Sequence, residues 1–327
     1  MARAARHPGL HDAGGSPLPG RLIEIAGCET YVVDGGAGPP VLLLHGFADT
    51  ADSWRRVVPA LVPRHRVIAI DIPPFGRSGR PPLRDGVELT DYYPEFFAAL
   101  VDTLDLPEAI VVGHSFGGAI ALTMALDEVT QVERLVLIAP AGLGEGAPWW
   151  WHAVAGRYLN WTALLRLPNP LAGQAIRAAL RGFLEERLVY DRRRLGGVID
   201  HFVDLHGGRR EFEELIHIGR SLIPGYTGML IRRAAKLRSP VTLIWGREDR
   251  LAPVKHADAF AAAVPDASIN VLEHCGHYPQ IELPARVNAL IEEFLAYPSS
   301  ESFRVSSRTT LSRTSSSVSS GAPRLRR

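Results

Sequence analysis

The stretch Val111-Val-Gly-His-Ser-Phe-Gly-Gly-Ala119 constrains the fold more than any other part of the chain. An apolar run over 109–112 stops at Gly113-His-Ser-Phe-Gly117, and an Ala/Leu-rich helical pattern begins at once. The order predicts strand, sharp turn and helix, with Ser115 at the tip. In so tight a turn, a side chain at Gly113 or Gly117 would collide with neighbouring backbone. The serine hydroxyl is then exposed at the end of a sheet, beside a helix N-terminus whose free N–H groups favour negative charge. A bare Gly-x-Ser-x-Gly is a weak signal, but between a buried strand and a helix it is a strong one.

The rest of the chain supplies matching strands. Residues 41–44, 67–70, 135–139 and 241–245 are continuous apolar runs, as in strands of a parallel sheet covered on both faces. Residues 268–272 read as a short strand, and 21–26 with 29–33 as a hairpin joined at Gly27-Cys28. Helical patterns lie between them: 53–61 with Ser53 as cap, 89–104 with Thr90 as cap, 254–264, and 282–297. The aromatics Tyr92, Tyr93, Phe96 and Phe97 recur at helical spacing and are assigned to core packing. Alternation of this kind is α/β.

From about 143 to 237 no strand-like run occurs, only helical patterns broken by Pro and Gly. Trp149, Trp150, Trp151 and Trp161, four of the six tryptophans, fall there. A helical block between two strands of one sheet is an insertion, placed to cap the Ser115 end. The expected organisation is a disordered leader over 1–20, a core over 21–142 and 238–297, a helical cap over 143–237, and a disordered Ser/Arg-rich tail over 298–327.

With 327 residues, 46% hydrophobic, and a net charge of +1, the chain fits a soluble globular protein and gives no reason to expect a nucleic-acid partner. The tail from Ser299 carries six Arg and one Glu, and removing that +5 from +1 leaves a mildly acidic body of −4. Cys28 and Cys275 are too few for a disulfide framework and point to a reducing compartment, with Cys275 a small buried residue. No apolar h-region opens the chain and no run approaches the ~20 residues that span a bilayer. A cytoplasmic location without stable membrane insertion is expected.

A serine hydroxyl needs a base to take its proton, an acid to orient the base, and donors for the oxyanion. Candidates for each stand at predicted strand ends. The order Ser115…Asp249…His277 resembles the α/β-hydrolase fold family. So do His45-Gly46-Phe47, Asp71-Ile-Pro-Pro-Phe-Gly-Arg-Ser78, Trp245-Gly-Arg-Glu-Asp249 and Gly276-His-Tyr-Pro-Gln-Ile-Glu-Leu-Pro284. The resemblance covers about 21–297. It implies a mostly parallel eight-stranded sheet with helices on both faces and an inserted helical cap. It also implies Ser115 as nucleophile, His277 as base and then acid, Asp249 as the orienting acid, and the backbone N–H groups of Phe47 and Phe116 as the oxyanion hole. No cofactor or metal ion is called for.

Glu248 and His274 are the rivals of Asp249 and His277. His45 and His114 are read as packing beneath the site, and Asp71 as ordering its own turn. Relatives that open epoxides or remove halides carry Asp where this chain has Ser115, so serine argues for an acyl-enzyme.

The first expectation is a carboxylic-ester hydrolase acting on a small to medium hydrophobic substrate. The alternative is a C–C bond hydrolase of vinylogous diketo acids from aromatic ring cleavage. That branch often has Asn before the serine and Trp after the histidine, where this chain has His114 and Tyr278. A cap arginine among Arg157, Arg166, Arg177 and Arg181 would serve its substrate carboxylate. A cofactor-free perhydrolase and a non-catalytic ligand receptor on the same fold complete the alternatives. The tail is expected to be dispensable: deleting 299–327 should leave both turnover and melting temperature unchanged.

Overall fold

A computed structural model describes residues 8–83, 88–144, 167–188, 190–222 and 229–296. Eight strands form one sheet in the order β1-β2-β4-β3-β5-β6-β7-β8. β1 (Gly20–Ile25) and β2 (Cys28–Gly35) make the expected hairpin, and β2 runs antiparallel to β4 (Arg66–Ile70). From β4 onward, β3 (Pro40–Leu44), β5 (Glu108–His114), β6 (Gln131–Ile138), β7 (Val241–Gly246) and β8 (Ser268–Leu272) are all parallel. This is the mostly parallel α/β-hydrolase sheet.

Alternation along the central strands divides the core into two layers. Leu42, Leu44 and Val111 face one side, with helices α2 (Leu89–Thr103), α3 (Phe116–Leu126) and α8 (Lys255–Ala263). Val41, Leu43 and Val112 face the other, where they meet Trp54, α1 (Val58–Leu61) and α10 (Pro284–Ala296). The positions 41–44, 67–70, 109–112 and 134–138 of the central strands are all buried, which is why these strands read as apolar runs rather than as alternation.

Between β6 and β7 stand α4 (Asn169–Arg187), α5 (Arg192–His206), α6 (Arg209–Leu222) and α7 (Met229–Ala234), called the cap below. Ala172, Ile176, Leu180 and Leu184 on α4 recur every fourth residue and are buried. With Val198, Ile199 and Val203 of α5 and Phe212, Leu215 and Ile216 of α6, the larger of these join the hydrophobic layer that covers the α2/α3 face. The four tryptophans Trp149, Trp150, Trp151 and Trp161 lie outside the described residues, as does the 298–327 tail. Among the described residues, no helix is long and apolar enough to cross a membrane.

Several expected boundaries move for identifiable reasons. Ser53 does not cap a helix; it lies inside a 3-10 helix, Ala51–Trp54. That turn starts after Thr50, and its first N–H, from Ala51, donates to Asp71 Oδ1 at 2.7 Å, a carboxylate delivered from the end of β4. Thr90 is likewise not a cap: Glu88 and Asp91 close a reciprocal capping box around the start of α2. The last helix, α10, starts two residues later than expected, with Pro284 at its first position, and a separate short helix, α9 (Pro279–Glu282), precedes it.

The leader expected without structure is ordered from residue 8. Asp12 Oδ1 accepts the N–H groups of Gly14 and Ser16, both at 2.8 Å, and the Leu18 N–H reaches the Leu10 carbonyl at 2.8 Å. The resulting loop drives Leu10 into the β3/α1 layer, where it is 1% exposed. Gly- and Pro-rich composition concealed a turn closed by one aspartate. Leu10→Ala should lower the unfolding free energy by about 2–3 kcal/mol, read from urea melts. An unchanged midpoint would mean that the leader does not pack.

Candidate active site

The turn after β5 holds Ser115 at φ 51°, ψ −113°, in the left-handed half of the map that L-residues seldom occupy. A Cβ on Gly113 would run into the Gly117 carbonyl, and one on Gly117 into the carbonyls of Leu44 and His45. The elbow is therefore wedged against the end of β3, and glycine at both positions is a steric requirement. The Ser115 N–H donates to the Ile138 carbonyl at 2.9 Å, and the Ala141 N–H to the Ser115 carbonyl at 2.9 Å, which ties the turn to the end of β6.

Ser115, Asp249 and His277 are 134 and 28 residues apart along the chain and meet in space. Ser115 Oγ lies 2.9 Å from His277 Nε2, and His277 Nδ1 lies 2.7 Å from Asp249 Oδ2. The carboxylate can only accept, so Nδ1 carries the proton and Nε2 is left with its lone pair toward the serine. Asp249 is fixed in turn, because its Oδ1 accepts the N–H groups of Leu251 and Ala252, each at 2.8 Å. His277 and Asp249 are 2% and 6% exposed, so the ion pair that forms when His277 takes a proton is shielded from water.

The rivals are occupied elsewhere. Glu248 Oε2 accepts the Cys275 N–H at 2.9 Å and so ties the end of β7 to the loop that bears His277. His274 is exposed and packs its ring on Tyr190 at 5.3 Å. His45 accepts the Ile72 N–H on Nε2 at 2.8 Å and donates from Nδ1 to the Gly46 carbonyl at 2.7 Å. Burial holds its imidazole down to about 4. Asp71 orders its own turn, accepting the Arg77 N–H at 2.8 Å and the Arg77 Nε at 2.7 Å. Burial pushes the Cys275 thiol well above its usual range, which leaves no thiolate near the site.

Phe47 and Phe116 come together around the serine, with ring centroids 6.4 Å apart, Phe116 being the first residue of α3. Phe47 lies in the turn Gly46–Asp49, closed by the Asp49 N–H to the Gly46 carbonyl at 3.3 Å.

Contacts that sequence reasoning missed reach His277 from both sides. His114 donates from Nε2 to the His277 carbonyl at 2.8 Å, and the His277 N–H donates to the Leu188 carbonyl of the cap at 3.1 Å. Burial keeps the His114 imidazole well below its usual range, so it is a neutral strut. Glu282 Oε1 accepts the Gly276 N–H at 2.9 Å, holding the loop from below. Glu282 was visible in the Gly-His-x-Pro-x-x-Glu pattern, but nothing in the sequence marks a main-chain acceptor such as Leu188. The cap arginines Arg177 and Arg181 are turned outward to Asp204 and Asp200. Arg157 and Arg166 lie outside the described residues.

Burial also pushes the Asp49 carboxyl up to about 7 from 3.8, despite the Thr50 N–H, Arg55 and Tyr278 beside it. A folded-state value above the unfolded one means that the native protein binds the extra proton, so stability falls as pH rises from about 4 to 7. At about 1.4 kcal/mol per unit the loss is up to about 4 kcal/mol. His45 and His114, held neutral by the fold, act in the opposite sense below about 6.5. The test is therefore the difference between wild type and Asp49→Asn. The variant should gain stability relative to wild type as pH rises from 4 to 8 in chemical melts, and a pH-independent difference would reject buried ionisation at Asp49.

Residues 39–284 match the family model described as alpha/beta hydrolase fold. The chain is 32% identical over 286 residues to 2-hydroxymuconate semialdehyde hydrolase of Pseudomonas sp. (strain CF600), covering 86% of this chain and 95% of that one. It is 30% identical over 292 residues to the dihydrolipoyllysine-residue acetyltransferase component of the acetoin cleaving system of Pseudomonas putida, covering 87% of this chain and 71% of that one. Among solved structures, a meta-cleavage product hydrolase from Pseudomonas fluorescens IP01 superposes with a TM-score of 0.68 at 28% identity, covering 84% of this chain and 97% of that one. A family model spanning most of the chain, an eight-stranded mostly parallel sheet and a serine elbow at the end of its fifth strand lead to one assignment: the chain belongs to the α/β-hydrolase fold family.

Proposed function

We propose that this protein is a serine-dependent C–C bond hydrolase whose substrate is a vinylogous diketo acid of the kind left by aromatic ring cleavage. The relay from Asp249 through His277 to Ser115, at 2.7 and 2.9 Å, is the observation that supports the chemistry. The substrate class rests on likeness, over nearly the full length of each, to a 2-hydroxymuconate semialdehyde hydrolase and a meta-cleavage product hydrolase.

In this reading His277 Nε2 takes the Ser115 proton as Oγ attacks the keto carbon. The oxyanion is held by the N–H groups of Phe47 and Phe116, each such donor contributing about 3–4 kcal/mol to the transition state. Collapse breaks the C–C bond. The departing carbon takes the electron pair, which spreads into the conjugated carbonyl system, and receives the proton from His277. A water then gives its proton to His277 and attacks the acyl-enzyme, releasing a carboxylic acid and restoring Ser115. Asp249 keeps the imidazole in one tautomer and stabilises its cation throughout. The cap supplies the apolar cover over the reacting atoms.

A second reading is a carboxylic-ester hydrolase, which uses the same steps with an alkoxide leaving group. It is favoured by His114 and Tyr278 at positions where C–C hydrolases often carry Asn and Trp. It is also favoured by the outward ion pairs of Arg177 and Arg181, which direct both guanidinium groups away from a substrate carboxylate.

Steady-state kinetics on a ring-cleavage diketo acid beside p-nitrophenyl esters from acetate to palmitate separates the two. The diketo acid should give the higher kcat/KM, and Ser115→Ala should lower it by about a thousandfold or more. Sustained turnover of esters alone would transfer the assignment to the second reading. No turnover of either, with Ser115 unlabelled by a fluorophosphonate, would remove the hydrolase assignment.

A further inference from the structure

The turn that carries the Phe47 N–H is strained and is held from outside. Ala48, its third residue, is fully buried at φ 58°, a conformation that glycine adopts freely and alanine does not. If Ala48 returned to the ordinary half of the map, the Gly46–Asp49 turn would open and the Phe47 amide would rotate with it. One side chain opposes this. His206, at the end of cap helix α5, places Nε2 2.7 Å from the Ala48 carbonyl. A carbonyl only accepts, so this nitrogen carries the proton. Burial keeps the imidazole neutral, down to about 4, and the Phe202 ring packs against it with centroids 4.6 Å apart. One turn and a half earlier on α5, His201 Nε2 lies 3.4 Å from Thr50 Oγ1, so the same helix meets the loop again just beyond the turn.

We propose that His206 is a positioning residue for the oxyanion hole: its hydrogen bond to the Ala48 carbonyl holds the Phe47 amide where charge develops during attack by Ser115. The inference rests on the reading of Ser115 as nucleophile and Phe47 N–H as oxyanion donor. The cap then does more than cover the substrate, because a side chain from it completes the geometry of the core's own oxyanion turn. Loss of the bond weakens stabilisation of the transition state and leaves ground-state binding nearly untouched.

The test needs no knowledge of the natural substrate. An alkyl fluorophosphonate forms a Ser115 Oγ–P bond, expels fluoride and passes the serine proton to His277, with its phosphoryl oxygen in the oxyanion hole. The maximal labelling rate and the concentration for half-maximal rate are measured for wild type, His206→Leu and His206→Gln, with circular dichroism and melting temperature alongside. The leucine variant should label about tenfold more slowly at saturation, with the half-maximal concentration within about twofold of wild type. The glutamine variant, whose amide can still donate, should recover most of the rate.

Wild-type labelling by the leucine variant would overturn the proposal, as would a glutamine variant as slow as leucine. If leucine prevents folding, glutamine is compared with asparagine, whose shorter amide falls short of Ala48. A fast glutamine and a slow asparagine variant support the bond, and equal rates overturn it. Wild type that is not labelled at all would fail the nucleophile itself and take this inference with it, an outcome distinct from failure of His206 alone.

Discussion

The site depends first on how closely the backbone after β5 passes the ends of its two neighbours. Only glycine at 113 and 117 lets the chain reverse there without striking the carbonyls of Gly117, Leu44 and His45. The reversal leaves Ser115 in a backbone conformation that costs about 1–3 kcal/mol. Nothing local repays that cost. It is offset by the packing of β3, β5 and β6 around the turn and by the Ser115 N–H bond to Ile138. Ser115 is thus fixed relative to two strand ends at once, one leading into the Phe47 turn and the other into the cap.

The remaining parts of the site are secured by backbone groups rather than by pairs of long side chains. Two main-chain N–H groups hold Asp249, and the Gly276 N–H meets Glu282. The His277 backbone is gripped at its N–H by the Leu188 carbonyl and at its carbonyl by His114. Backbone partners move only when whole elements move, so the relay is kept by the fold. Beside the Gly46–Asp49 turn, Asp71 does similar work, joining the Ala51 amide to Arg77, which also reaches Asp52 at 3.2 Å and lies 3.8 Å above the Tyr31 ring.

Much of this was legible in the sequence because each signal was local and chemically narrow. Strands buried on both faces announce themselves as apolar runs. A serine between glycines at a strand-to-helix switch has few other uses, and Asp249 and His277 each follow a strand. What was not legible depends on distant partners. Ser53 looked like a helix cap, but the turn starts two residues before it, at Ala51, whose amide is held by Asp71, twenty residues on. The leader looked shapeless because the turn around Asp12 depends on Leu10 finding a hydrophobic layer made by β3 and α1. His206 carries no signal at all: it is an ordinary helical histidine until the fold brings it to Ala48, 158 residues away.

Three of the imidazoles gathered at this end of the sheet are held neutral. His45, His114 and His206 each spend an N–H on a main-chain carbonyl, and burial lowers all three below their usual range. None of the three can take up a proton near neutrality without stranding a buried charge. Among the described residues, His277 is then the imidazole left with a ring nitrogen facing the Ser115 hydroxyl, so that if Ser115 reacts as proposed its proton has one receiver among many histidines.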